Sequence, residues 1–431
     1  MNYIGVLMSF KEFKFDPKVE AGIVACGYTC PTPIQQQTIP PILAGSDILG
    51  LAQTGTGKTA AFVLPILQRL LDGPGKKLRA LIVAPTRELA EQIHGNIKTM
   101  SVKTGLTSTV IYGGVGRNPQ IQAIRSGVDI VVACPGRLLD ILNEQGVSIS
   151  TVETLVLDEA DHMFDKGFLP DIRRIVKQLP RKRQSLVFSA TMPKEIRHLA
   201  EEILYKPVTV QINHTLPMPT ISHALFHVSR PQKTALLEKL IVEQEMTSTV
   251  VFTRTKHKAK SLALQLQKAG HKAASLQGNL SQNNRQRAMD GFRDGTFSVL
   301  VATDIAARGI DVSDISHVVN YDVPDTAETY THRTGRTGRA EKSGMAITFA
   351  DRDDLKMISQ IENNLGKKMV RPEGQSSFTA SGPNENRSSE KPSQGKNTSK
   401  QKVDTRPRKK TTRNKGNSFD FGVNNNKKQL H

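Results

Sequence analysis

The chain has 431 residues, with 59 Lys+Arg against 40 Asp+Glu for a formal charge of +19, 37% hydrophobic residues, 3 Cys and no Trp. That length exceeds a single core and suggests two or three domains, and the apolar fraction excludes a collagen-like or wholly disordered chain. Cys26, Cys30 and Cys134 make no disulfide framework and lack the partners of a zinc site, so a reducing, cytoplasmic setting is expected.

Met1–Leu7 lack the basic flank and cleavage site of an export signal. Met8 directly precedes the first informative segment and is read as the start, with Met1–Leu7 as an extension. Short β-branched runs then alternate with longer helix-like stretches, the pattern of βαβ units and parallel sheets. In the first half, strands are predicted at Ile48–Leu51, Ala80–Ala84, Ser108–Tyr112, Ile130–Ala133, Thr154–Leu157 and Ser185–Ser189. Tyr205–Thr220 carries Pro207, Pro217 and Pro219 and marks a break between two globular units. The second half repeats the theme at Ser222–Val228, Thr249–Thr253, Ala273–Leu276, Ser298–Ala302, His317–Asn320 and Ala346–Phe349. The expected division is a first α/β domain over 1–206, a linker over 207–220, a second α/β domain over 221–372 and a tail over 373–431. The longest apolar runs, such as Ala80–Pro85 and Val128–Ala133, fall far short of the roughly 20 residues that span a bilayer.

The tail holds 13 Lys+Arg and 5 Asp+Glu, a net +8, and residues 1–372 carry the other +11. It is rich in Ser, Asn, Gln, Lys and Gly and is too poor in apolar residues to fold alone, so it is expected to be a disordered basic arm. Its densest cluster, Arg406-Pro407-Arg408-Lys409-Lys410 with Arg413 and Lys415, suits the phosphates of a nucleic acid.

Two motifs carry chemistry on their own residues. Ala52-Gln53-Thr54-Gly55-Thr56-Gly57-Lys58-Thr59 follows a predicted strand and opens a helical run, the setting of a phosphate-binding loop. Lys58 would reach the β/γ-phosphates and the Thr59 hydroxyl would bind Mg²⁺, while Ala52 stands where the general pattern has Gly. Asp158-Glu159-Ala160-Asp161 ends another predicted strand, where ligands of open α/β sheets bind. There Asp158 would hold Mg²⁺ through water and Glu159 would orient and deprotonate an attacking water.

With these motifs in this order the chain resembles the DEAD-box RNA helicases of superfamily 2, most like the bacterial RhlE-type subgroup, over about Met8 to Lys368. The resemblance implies two tandem RecA-like parallel-sheet domains, ATP and Mg²⁺ as cofactors, and RNA as partner. Gly27-Tyr28-Thr29-Cys30-Pro31-Thr32-Pro33-Ile34-Gln35, with Phe10 lying 17 residues before Gly27, is similar to the family's adenine-reading segment, which assigns Tyr28 and Gln35 to the base. Thr54, Gly55, Thr56, Gly57, Lys58 and Thr59 go to the phosphates and Asp311 to the ribose. Pro85-Thr86-Arg87-Glu88-Leu89, Gly113-Gly114 and Pro135-Gly136-Arg137 are similar to the first domain's RNA motifs and imply RNA contacts at Thr86, Arg87, Gly114, Gly136 and Arg137. Cys134 replaces the family's usual Thr. Ser189-Ala190-Thr191 is similar to the motif that couples hydrolysis to strand separation, with Ser189 and Thr191 hydroxyls bonding Asp161.

The second half, by the same resemblance, supplies RNA contacts at Arg254, Gly278 and Thr303, with Arg285 in an RNA-facing motif. It also supplies His332-Arg333-Thr334-Gly335-Arg336-Thr337-Gly338-Arg339. Four basic side chains at that spacing repel one another unless they meet an anion. Arg336 and Arg339 are assigned as arginine fingers on the γ-phosphate, with His332 in the same catalytic group. The family implies backbone contacts without sequence preference and work on ribosomal particles or with the RNA-decay machinery; a monomer with no membrane partner is expected. Competing readings are a DNA-translocating helicase and an ATP-independent RNA annealing protein.

Overall fold

The computed structural model describes residues 9–53, 55–144, 146–212, 221–307, 315–338 and 343–372. Its first sheet contains β1 (Ile48–Leu51), β2 (Ala80–Val83), β3 (Ser108–Ile111), β4 (Ile130–Ala133), β5 (Thr154–Leu157), β6 (Gln184–Ser189) and β7 (Val208–Gln211). All pairings are parallel, in the order β3-β4-β2-β5-β6-β1-β7. Parallel neighbours need crossover connections, and the helices between these strands provide them.

The crossovers cover both faces of the sheet, so the central strands are buried throughout rather than alternating with solvent. Alternation survives inside the core. On β2, Ala80 and Ile82 join the cluster around Phe62 and Ile93, while Leu81 and Val83 join the opposite cluster around Leu138 and Met163. The second sheet repeats this with β8 (Ile221–His227), β9 (Thr249–Phe252), β10 (Ala273–Leu276), β11 (Val299–Ala302), β12 (His317–Asn320) and β13 (Gly344–Ala350), all parallel in the order β10-β11-β9-β12-β13-β8.

One boundary differs from expectation. β7 lies within the stretch read as a linker yet pairs with β1, Ile48 opposite Val208 and Leu51 opposite Gln211, so the first domain runs past residue 206. It is an edge strand of four residues with Val210 alone buried, too little to give a periodic signal. Among the described residues no helix is long and apolar enough to cross a membrane. Met1–Met8, most of the expected linker and the whole basic tail lie outside the described residues.

Because every strand of a sheet runs the same way, the loops that follow β1, β2, β3, β4, β5 and β6 gather at one edge, and those after β9, β10, β11 and β12 gather at one edge of the second sheet. Every motif singled out between Ala52 and Thr191 follows a strand of the first sheet.

Candidate active site

The loop after β1 returns into the helix Lys58–Leu71 with Gly55 at φ +85° and Gly57 at φ +91°, conformations that glycine adopts without strain. A Cβ on Gly57 would stand 2.6 Å from Gln35 Nε2, so the position is closed to other residues on steric grounds as well. Ala52 has no such demand. It is buried with Ile34 and Val210, and its N–H donates to the Ser189 carbonyl at 3.0 Å, which accounts for the departure from Gly. Lys58 is 5% exposed and its ammonium donates to the Ala52 carbonyl at 2.8 Å, inside the curl of the loop.

Gln35 is fixed by two bonds: its Oε1 accepts from the Thr32 N–H at 2.9 Å and its Nε2 donates to the Gly57 carbonyl at 3.0 Å. One N–H and one lone pair of its amide stay uncommitted, so any base reading is done by a side chain already tied to the phosphate loop. Phe10 is buried, and the half-exposed ring of Tyr28 stacks on it with centroids 6.2 Å apart.

After β5 the backbone turns sharply at Glu159, a non-glycine residue at φ +54°, ψ +54°. Such strain costs on the order of 1–3 kcal/mol and collects at functional sites. Asp158 is 2% exposed; burial pushes its carboxyl up to about 6 against the opposing charge of Lys58. Burial also opposes ionisation of Glu159. The hydrogen bond from His162, 3.3 Å away, and the charges of Lys58, His162 and Arg336 outweigh it and hold Glu159 down at about 2.

Asp161 ties this turn to the loop after β6. Its Oδ2 accepts from the Ala190 N–H at 3.2 Å, the Thr191 N–H at 2.9 Å and the Thr191 hydroxyl at 3.0 Å. Ser189 acts differently from expectation. Its hydroxyl accepts from the Asp161 N–H and donates to the Thr191 carbonyl, leaving the carboxylate to Thr191.

A cleft of about 580 Å³ opens here, lined by Lys58, Glu159, Asp161, His162 and Thr191 from the first domain and by Thr326, Thr329, His332 and Arg336 from the second. Arg336, 5% exposed, thus lines the same cleft as the carboxylates. Thr54, Asp311 and Arg339 fall outside the described residues.

Arg333 does not join the cleft chemistry. Its guanidinium pairs with Asp304 at 2.6 and 2.7 Å, donates to Asn320 Oδ1 and the Asp322 carbonyl, and lies 5.0 Å over the Phe252 ring. The anion that this side chain meets is the protein's own, which corrects the reading of four cations held together by a ligand.

The loops after β2, β3 and β4 form a second surface. Arg87 and Arg137 converge on Gly113, where a Cβ would stand 3.4 and 3.9 Å from their guanidiniums. At Gly114, φ +88°, a Cβ would stand 2.3 Å from Arg87 Nη1. Gly136 and Gly278 have open space beside them. Thr86 is buried as the cap of the helix Arg87–Met100, accepting from the Leu89 N–H at 3.1 Å, so its first duty is structural. Cys134 opens the helix Pro135–Leu142 without a side-chain cap bond, and burial pushes its thiol up to about 12. Arg254 is exposed, with Asp325 3.5 Å from its guanidinium, and Thr303 is half-buried at the start of the helix Asp304–Ala307.

Two family models match the chain: the DEAD/DEAH box helicase over residues 32–199 and the helicase conserved C-terminal domain over residues 232–341. The chain is 44% identical over 345 residues to the RNA helicase CrhR of a Synechocystis species, covering 80% of this chain and 70% of the relative. The chain belongs to the DEAD-box helicases. It is 43% identical over 365 residues to the ATP-dependent rRNA helicase RRP3 of Gibberella zeae, covering 84% and 75%. Its fold matches that of Saccharomyces cerevisiae Dbp5 bound to RNA and ADP BeF3 at a TM-score of 0.77 and 32% identity, over 84% of this chain and 95% of that one. As a member of this family it is an enzyme of the helicase and ATPase class.

Three features of this DEAD-box helicase escaped the sequence reading. His162 holds the Glu159 carboxylate; its signal was a histidine three residues further along the same helical turn. Arg333 has no local signal, since Asp304 lies 29 residues away in sequence. Arg285, placed with the RNA-facing residues, instead donates to Glu88 at 2.7 Å from the other domain, and Arg87 donates to Gln282 at 3.2 Å. The Glu88 and Arg285 side chains are only 11% and 12% exposed, so this pair is a desolvated joint between domains.

Proposed function

We propose that this chain is an ATP-dependent RNA helicase that binds one RNA strand across both domains and locally opens or remodels short duplexes, with hydrolysis stimulated by RNA. The observation that carries this reading is the meeting of Lys58 and Glu159 from one sheet with Arg336 from the other in a single cleft.

In this reading the phosphate loop receives the triphosphate, with Lys58 exchanging its bond to the Ala52 carbonyl for the β/γ-phosphates. No three His, Cys, Asp or Glu side chains cluster to hold a metal by themselves among the described residues. The donor set is instead a hydroxyl and a buried carboxylate, Thr59 and Asp158, which suits Mg²⁺ because that ion keeps waters and phosphate oxygens in its shell. A buried carboxyl pushed up by desolvation is one whose charge a cation would compensate. When bound, Mg²⁺ would neutralise developing charge on the phosphates.

Glu159 sits beside this site as a firm anion. At about 2 it is a weak base, so its first work is to hold and orient the attacking water, accepting the proton as the bond to phosphorus forms. Arg336, and by the family resemblance Arg339, would stabilise charge on the γ-phosphoryl group from the second domain. His332 lines the same cleft.

RNA would lie over Arg87, Arg137, Gly114 and Gly136 of the first domain and Arg254, Gly278 and Thr303 of the second. These are backbone-type donors and carry no sequence readout. The RRP3 relative, an rRNA helicase by its name, makes ribosomal RNA the first substrate to try, with RNA decay the other setting that the resemblance implies. A cytoplasmic monomer is the form this reading takes.

Glu159→Gln tests it. Nucleotide binding is expected to persist while RNA-stimulated hydrolysis falls at least roughly 100-fold, the lower end for losing a positioned acid–base group. Turnover at the wild-type rate would remove Glu159 from the mechanism.

A further inference from the structure

The positive charge of residues 1–372 is not spread evenly. From Met246 to Met289 there is no Asp or Glu in 44 residues against eight Lys+Arg, so this stretch holds +8 of the +11. It contains the helix Lys256–Lys268, which leaves β9 beside Arg254 and ends before β10. Lys256, Lys260 and Lys268 are all exposed, as is Lys272 between the helix and β10. Lys256 and Lys260 lie about one turn apart, and Lys268 stands about 18 Å further along the axis than Lys256 and about a third of a turn round from it.

Several other helices interleave acidic residues with their basic ones, and some of these pair. Arg173 pairs with Glu202 at 2.8 Å, Arg174 with Asp171 at 3.7 Å and Lys239 with Glu243 at 3.6 Å. Lys256, Lys260, Lys268 and Lys272 form no ion pair with a described residue. Like charges at i, i+4 repel, so Lys256 and Lys260 work against their own helix when nothing anionic lies on them. The set also begins at the loops already read as RNA-facing, because Lys256 Nζ donates to Asn279 Oδ1, next to Gly278, at 3.2 Å. Lys258 is different: it turns inward over the Tyr321 ring at 5.0 Å and is not part of the set.

We propose that this face of the second domain is an auxiliary RNA track, holding the phosphodiester backbone of the strand that continues outward from the cleft past Gly278. The proposal rests on the RNA-binding reading above. It gives the enzyme a grip on flanking RNA that is separate from the cleft motifs. Phosphate is the chemistry recognised, since exposed ammonium groups spaced along a rod match a line of single charges and read no bases.

The test compares the full-length chain with the combined variant Lys260→Gln, Lys268→Gln, Lys272→Gln and with the corresponding Lys→Arg variant. Affinity for single-stranded RNA is measured against salt, with one oligonucleotide just long enough to span the cleft and the same sequence extended at either end. For the extended RNA, the Gln variant is expected to lose affinity and about two units of log–log salt slope, from about 0.7 per phosphate contact. The Arg variant should keep both. The short RNA and RNA-stimulated hydrolysis should be unchanged.

An unchanged slope on extended RNA overturns the track. So does loss of binding to poly-glutamate with RNA binding intact, which would make these lysines a docking surface for an acidic protein. Equal losses on short and extended RNA would also overturn it, because the lysines would then act on the cleft itself. If the wild-type chain binds neither RNA, the underlying functional reading fails, a result distinguishable from failure of the track alone.

Discussion

Arg333 and Arg336 lie three residues apart and do different work. Arg333 is 3% exposed and bound bidentately to Asp304, whereas Arg336 stands in the cleft close enough to lower the Glu159 carboxyl. Asp304 is about a third exposed and can rehydrate, but removing the guanidinium leaves the buried Asn320 oxygen and the Asp322 carbonyl without their donor, at about 1–3 kcal/mol each. Arg333→Leu is therefore expected to lower the stability of the second domain by about 3 kcal/mol in denaturant unfolding. Arg336→Ala is expected to remove most hydrolysis, since it withdraws charge from the transferring phosphoryl group. Wild-type hydrolysis in Arg336→Ala, or unchanged stability in Arg333→Leu, would contradict this division. Sequence spacing made both arginines visible but could not separate them, because what distinguishes them is tertiary: Asp304 beside Arg333, the Glu159 cleft around Arg336. Lys58, Glu159 and Thr191 were legible for the opposite reason, since each depends on a local turn that its own neighbours specify.

At the scale of elements, the strands were readable because central strands of a parallel sheet are apolar on both faces and bounded by loops. β7 was not, having one buried residue. A second feature invisible in the sequence is the contact between β8 and the helix Ala327–Thr334. His223 is 3% exposed with its Nδ1 2.9 Å from the Tyr330 hydroxyl, and burial, helped by the charge of Lys367, pushes its pKa down to about 4. Below about 6.5 the unfolded chain takes up a proton at this residue that the folded chain refuses until about 4. Stability is thus complete above 6.5 and falls as pH drops, by up to roughly 3 kcal/mol at 1.36 kcal/mol per pH unit. The stability difference between wild type and His223→Gln should shrink by that order between pH 7 and pH 4. A difference independent of pH would show that His223 titrates alike in both states.

At the scale of the whole molecule, the proposed function gives the net charge distinct uses: Lys58 and Arg336 at the nucleotide, Arg87 and Arg137 at RNA, and the lysines of Lys256–Lys268 on flanking RNA. Length and composition pointed to a polyanionic partner but not to the joint on which the cleft depends. Glu88 and Arg285 meet across the domains, and a close interfacial charge pair couples by about 1.5 kcal/mol or more. Glu88→Arg and Arg285→Glu are each expected to weaken nucleotide-dependent RNA binding roughly tenfold, and the double reversal to restore most of it. Additive losses would show that the pair does not hold the closed arrangement.

In the proposed function, nucleotide and RNA share one closed state. If so, a non-hydrolysable ATP analogue must raise RNA affinity, and RNA must raise affinity for the analogue by the same factor, because coupling between sites is reciprocal. Measuring RNA affinity with and without the analogue, and analogue affinity with and without RNA, tests this directly. The account predicts equal factors well above one; RNA affinity indifferent to nucleotide would contradict it.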